Sequence, residues 1–151
     1  MTDYESLTAQ LRALAGAEPW YVPLLANASA LLMEALPSLN WAGFYLLRGE
    51  ELVLGPFQGR VACVRIAPGR GVCGTALRKD ETQLVPDVHA FPGHIACDAA
   101  SNAELVVPIH AHGAVAAVLD LDSPVKGRFT EEDRAGLEAF VRALEEVIRF
   151  D

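Results

Sequence analysis

Three cysteines fall within one stretch dense in glycine, proline, histidine and acid. Cys63 lies in VACVRIAPGRG, Cys73 in GRGVCGTA and Cys97 in FPGHIACDAASNAE. Nine residues separate the first pair and twenty-three the second. An odd count does not imply a purely structural set of disulfides. In a reducing cytosol a disulfide is more often transient and catalytic than structural. For any one cysteine the plain alternative is a small buried hydrophobe; three in one glycine-rich region favour chemistry. Cys73 stands at the start of a predicted helix, where the helix N-terminus lowers a thiol pKa, and Arg70 is close in sequence. Cys97 stands in a long loop beside His94, where exposure and mobility suit a reactive thiol. Cys63 falls on a predicted strand, a better anchored place. A disulfide needs Cα atoms within about 7 Å, and chain spacing leaves the pairing open. His89 and His94 complete a set of zinc ligands on paper. No C-x-x-C or H-x-x-x-H pair is present, so structural zinc is disfavoured.

A second group is acidic: Glu104, Asp120 and Asp122. Asp120 and Asp122 are two apart on a predicted strand and so face the same side. Two carboxylates at the end of an apolar strand are costly unless solvated or paired with a cation. They could hold a ligand ammonium, or one could stay protonated and act as an acid. The plainer alternative is a solvated strand end. Trp41 and Tyr45, four apart on a strand, share a face and could form an aromatic wall for an apolar group or a cation; core packing is the alternative. His110 and His112 also share a face and receive no role. Asp133 and the glutamates of the last helix read as capping and solvated-face residues.

These side chains need a scaffold. Leu7, Leu11 and Leu14 predict an amphipathic helix over 2–15. A second helix is expected from about Trp20 to Leu36, ended by Pro37. WAGFYLLR (41–48) and ELVLGPF (51–57) read as a β-hairpin turning at Gly49-Glu50. A short strand is expected at 62–66, a glycine turn opening a short helix at GRGVCGTALRKD, and a brief strand at Thr82–Val85. Pro86 to Ala103 reads as a long irregular loop, usually functional in a compact domain. ELVVPIH and GAVAAVLDLDS are strands joined at His112-Gly113. Thr130 and Asp133 form a capping pair before a helix lined by Leu137, Phe140, Val141, Leu144, Val147 and Ile148. The strand connections are mostly too short for crossover helices. This order predicts an α+β fold with a central antiparallel sheet flanked by N- and C-terminal helices, as one domain over 1–151.

The bulk numbers bound the function. The 151 residues suit one domain with a real core, and 52% of them are apolar, which argues against disorder. No apolar run reaches the roughly eighteen residues needed to span a bilayer. The N-terminus, MTDYESLTAQ, lacks the basic region of a secretory signal. A cytoplasmic location is expected. The formal charge of -8 argues against nucleic acid and anionic membrane surfaces. It leaves open a cationic or zwitterionic small ligand.

The runs NWAGFYL, LGPFQGRVAC, GRGVCGTA, ETQLVPDVHAFPGHIACD, SNAELVVPI and VLDLDSP together resemble the free methionine-(R)-sulfoxide reductases, a GAF-type single-domain family. The resemblance covers about residues 20–148 and preserves all three cysteine contexts in order. It implies reduction of free L-methionine (R)-sulfoxide to methionine by thiols, with no metal or organic cofactor. It implies Cys97 as the thiolate that attacks the sulfoxide and becomes a sulfenic acid. Cys63 would be the main resolving cysteine, giving a Cys63–Cys97 disulfide reduced by a thioredoxin-type donor. Cys73 would be auxiliary or an alternative resolving cysteine. Glu104, Asp120 and Asp122 would hold the substrate ammonium and supply a proton to the sulfoxide oxygen. Trp41 and Tyr45 would accept the S-methyl group, and backbone N–H groups in the cysteine loop the carboxylate. The other function class in view is a non-catalytic GAF ligand sensor. The apolar N-terminal helices leave a homodimer open.

Overall fold

The computed structural model describes residues 1–94 and 100–151. In chain order it has helices α1 (Tyr4–Ala17) and α2 (Tyr21–Ala35), strands β1 (Trp41–Arg48), β2 (Glu51–Gly59) and β3 (Arg65–Ile66), helix α3 (Gly71–Lys79), strands β4 (Gln83–Val85), β5 (Ala103–Ala111) and β6 (Ala114–Ser123), and helix α4 (Glu131–Val147). The strands form one antiparallel sheet in the order β3-β2-β1-β6-β5-β4. The α+β expectation holds, with no helix among the described residues long and apolar enough to cross a membrane.

Alternation along the strands sorts the sheet into two faces. Ala42, Phe44, Leu46, Leu105, Val107, Ile109, Leu119 and Leu121 pack under α1, α2 and α4, which contribute Leu11, Leu25, Leu32, Leu137, Phe140 and Leu144. The other face carries Trp41, Tyr45, Val106 and Val118. It packs with Ile66 and with Val72, Cys73 and Ala76 of α3. One face is thus a thick hydrophobic core, and the other is covered more thinly by one short helix and loops.

Local chemistry explains the element ends. Asp3 caps α1 by accepting from the Ser6 N–H at 3.0 Å. Thr130 and Asp133 form the expected capping box on α4. Asp133 is not on a solvated face, however. It is 8% exposed and accepts from the Tyr4 hydroxyl at 2.6 Å and from Arg128 at 3.1 Å. Burial pushes its pKa up, but the bonds from Tyr4 and Thr130 and the Arg128 charge win, and it is lowered. Both hairpins are two-residue turns: Arg48 pairs with Glu51 and Ala111 with Ala114. His112 and Gly113 both have positive φ, 53° and 80°, as a type I′ turn requires.

Several boundaries differ from expectation. α1 runs two residues later than 2–15 at both ends, because Asp3 is the cap rather than a helical residue. The strand expected at 62–66 is only Arg65–Ile66, so Cys63 lies in the connection before it. The loop after β4 contains a 3-10 turn at Val88–Ala90, capped by Asp87, and ends one residue early because Ala103 already pairs with Ser123. Ile148 caps α4 from outside it.

His110 carries a polar clamp between both layers. Its Nδ1 lies 2.6 Å from Glu145 on α4 and its Nε2 2.6 Å from Asp80 at the end of α3. Glu145 also accepts the His110 backbone N–H and pairs with Arg142 at 2.8 Å. Burial lowers the imidazole pKa, but the bonds to Asp80 and Glu145 outweigh it and the net shift is upward. Only the imidazolium can donate to both carboxylates. Its contribution is therefore complete below the ordinary histidine pKa of about 6.5 and is lost as pH rises through the higher folded value. The melting temperature of the protein should contain a component that falls as pH is raised above that range. Melting curves of His110→Gln should lack it; equal pH profiles for the two proteins would remove the clamp from the stability account.

Candidate active site

The thinly covered face carries a small recess with a cavity volume of about 50 Å³. Its lining includes Trp41 and Tyr45 from β1, Glu104 from β5, Asp120 and Asp122 from β6, and Arg70 and Cys73 from the α3 end. Strand pairing explains the grouping. Trp41 stands opposite Asp122, Asp122 opposite Glu104, and Asp120 opposite Gly43 and Val106. Residues directly opposite in antiparallel strands project from the same face.

Two bulges make this alignment possible. From the β5–β6 turn, the register would set Glu104 against Leu121. An extra residue at Ala116, between the Ile109–Ala117 and His110–Val115 pairs, shifts it to Asp122. Without it Glu104 would face the helical core. β2 likewise has an extra residue in the Gly55-Pro56 region, between the pairs Tyr45–Leu54 and Gly43–Phe57. Proline within a strand is tolerated at such a site. The shift turns Phe57 onto the face of Trp41.

The aromatic wall is therefore three rings. Trp41 stacks on Tyr45 at 5.9 Å and 24° and on Phe57 at 5.1 Å and 15°. Gly43 makes room for it: a Cβ there would lie 2.3 Å from Phe57 Cβ and 2.9 Å from the far edge of Trp41. Phe57 and Gly43 carry no local signal of this role; the proline inside the second hairpin strand is the signal for the bulge.

The acids are deeply buried. Glu104 is 8% and Asp120 5% exposed, and among the described residues no lysine or arginine forms an ion pair with either. The Cys73 thiol donates to Glu104 Oε2 at 3.9 Å. Burial, then Asp120 and Asp122, pushes the Glu104 pKa well above the carboxylate range. Burial raises Asp120 as well, offset in part by bonds from Glu104 and Cys73. Asp120 Oδ1 is buried with no hydrogen-bond partner among the described residues. An unmet acceptor beside shared protons is poised for a cationic donor such as an ammonium. Cys73, Glu104 and Asp120 are also close enough to hold one metal ion, with donor atoms within 4.8 Å of one another.

The cysteines separate by environment. Cys73 sits within the first turn of α3, as expected, but its thiol is not activated. It is 4% exposed, and burial, then Asp120 and Glu104, pushes its pKa well up. Desolvation and two carboxylates outweigh the helix end and Arg70. Cys63 is half-buried in the segment before β3, not on a strand. Tyr45 donates to its carbonyl at 2.9 Å. Cys97 lies outside the described residues. His94, at the recess, is held below the ordinary histidine pKa by burial and by His89, whose ring lies 6.2 Å away. His89 itself faces Asn102 at 3.0 Å.

Residues 4–148 match the GAF domain family. The Free methionine-R-sulfoxide reductase of Escherichia coli K12 is 54% identical over 145 residues, 96% of this chain and 88% of that protein. The fRMsr of Staphylococcus aureus, solved in complex with substrate, is 48% identical with a TM-score of 0.93, covering 99% of this chain and 97% of that one. A free methionine-R-sulfoxide reductase from Neisseria meningitidis, also solved with its substrate, is 43% identical with a TM-score of 0.91, covering 95% and 86%.

Thiol alkylation tests the account of Cys73. In a Cys63→Ser/Cys97→Ser protein, iodoacetamide should label Cys73 far more slowly than free cysteine near neutral pH. The rate should climb only above the ordinary thiol pKa of about 8.5. Fast labelling of the folded protein at pH 7 would mean that the helix end prevails after all.

Proposed function

We propose, for a chain that belongs to the GAF-domain family of free methionine-(R)-sulfoxide reductases, that its recess reduces free L-methionine (R)-sulfoxide to methionine. One observation carries this reading: the buried Glu104 and Asp120 face the Trp41–Tyr45 stack across a single recess. The substrate's charged and apolar ends call for those two surfaces. Its ammonium suits the unmet oxygen of Asp120 and the carboxylate of Asp122. Its S-methyl group suits the aromatic wall. Backbone N–H groups around the cysteine loop take the carboxylate. A site that uses both charged ends excludes a methionine sulfoxide held in a peptide, where those ends are amides.

The chemistry is thiol-based. The Cys97 thiolate attacks the sulfoxide and takes its oxygen as the S–O bond breaks. Glu104, kept protonated by burial and by its acidic neighbours, supplies a proton to that oxygen. Methionine leaves, and Cys97 is a sulfenic acid. Cys63 then forms a Cys63–Cys97 disulfide with loss of water, and a thioredoxin-type dithiol reduces it. The upward shift of the Cys73 thiol supports an auxiliary role for that residue. It disfavours Cys73 as the attacking thiolate.

Reduced protein should convert free (R)- but not (S)-methionine sulfoxide, measured as methionine by chromatography with a thiol reductant present. Binding of ligand without turnover would favour a sensor instead. Cys97→Ser should lose both methionine formation and sulfenic acid. Cys63→Ser should give one turnover and then stall with thioredoxin. Activity retained in Cys97→Ser and lost in Cys73→Ser would swap the roles. Glu104→Gln should lower kcat/KM by roughly a hundredfold, the lower range for losing a general acid.

A further inference from the structure

Residues 60–64 cross from the end of β2 to β3 beside the mouth of the recess, and Val61 and Ala62 help to line it. Apolar packing holds only part of this strap: Ala62 and Cys63 rest against the recess-side core. Val61 is 88% and Val64 60% exposed. Among the contacts between described residues, three to its carbonyls help to tie it down. The Trp41 indole Nε1 donates to the Arg60 carbonyl at 3.1 Å. The Tyr45 hydroxyl donates to the Cys63 carbonyl at 2.9 Å. The Leu54 N–H donates to the Val64 carbonyl at 2.8 Å. Two of the three tethers are thus the polar tips of the aromatic wall.

We infer that the Tyr45 hydroxyl is a positioning device for Cys63, so that one side chain serves two steps. Its ring faces the substrate, and its O–H sets the resolving cysteine. The inference rests on the reading of Cys63 given above. Burial, and then the charge of Asp120, hold the phenol pKa well above its ordinary value. The O–H therefore stays a donor wherever the enzyme works. In the resolving step the Cys63 sulfur attacks the sulfenic sulfur of Cys97. An S–S bond forms, the S–OH bond breaks, and the oxygen leaves as water with the Cys63 proton. Such an intramolecular step depends on placement of the attacking atom. A strap with exposed valines and one tether fewer places it less well. Trp41 acts in the same sense from Arg60.

The test is a partition measured per methionine formed. Reduced full-length protein is given free (R)-methionine sulfoxide and dimedone without reductant. The dimedone adduct of the sulfenic acid is quantified by mass spectrometry and divided by the methionine released. Cys63→Ser, which cannot resolve, sets the upper limit. Tyr45→Phe keeps the ring and removes the O–H. Its adduct ratio should exceed that of wild type by about fivefold, the factor expected for one net hydrogen bond of about 1 kcal/mol at 1.36 kcal/mol per decade. A general loss of stability or of substrate affinity would not move this ratio. If Tyr45→Phe does not fold, Trp41→Phe is read in the same way. Methionine formation with the wild-type ratio in the folded variants overturns the inference and leaves the reductase reading standing. Wild type that makes no methionine, or Cys63→Ser with no excess adduct, removes that reading or its cysteine assignment, and the inference with it.

Discussion

Two carboxylates taken out of water, with no basic side chain among the described residues paired to them, set the terms for everything around them. Ionised together, Glu104 and Asp120 would repel each other in a poorly screened site. The fold resolves this by keeping protons there. Burial raises both pKa values, the neighbouring aspartates raise Glu104 further, and burial together with these carboxylates raises the Cys73 thiol. The pocket therefore contains proton donors and an unmet acceptor at neutral pH. Both are suited to a ligand that brings an ammonium and an oxygen awaiting protons. The same field that suits the acids makes Cys73 a poor nucleophile.

Holding such a cluster requires that one face of the sheet be rich in function and the other carry the core. The helical face has large apolar side chains from three helices and takes no part in the recess. Among the described residues, the opposite face has α3 and connections above it. Register is what keeps the two apart. One extra residue in β6 places Glu104 beside the aspartates, and one in β2 places Phe57 beside Trp41. Either slip undone would put a carboxylate or an aromatic ring on the wrong side.

Much of this was legible in the chain. The hairpin turns, the Thr130–Asp133 cap and the shared face of Trp41 and Tyr45 follow from local rules that short-range sequence states directly. So does the shared face of Asp120 and Asp122. What local rules could not state was decided by partners distant in the chain. The bulges depend on pairing across strands. The helix position of Cys73 predicts an activated thiol, but burial, and then acids forty-seven and thirty-one residues away, push its pKa up. Asp133 reads as a surface capping residue until Tyr4, 129 positions earlier, is seen to close over it. Cys63 reads as a strand residue because Val61 to Ile66 is mostly apolar, but Val61 and Val64 point into solvent.

The join between the two ends of the chain bears on how the molecule is made. Tyr21 donates to the Arg149 carbonyl, Arg149 donates to the Pro19 carbonyl, and Tyr4 reaches across to Asp133. Tyr4 and Asp133 stand 129 positions apart in the chain, so the helical layer closes only when segments far apart in sequence meet. Contacts of such high separation must overcome loop-closure entropy before they reward it, and they slow folding relative to the local hairpins.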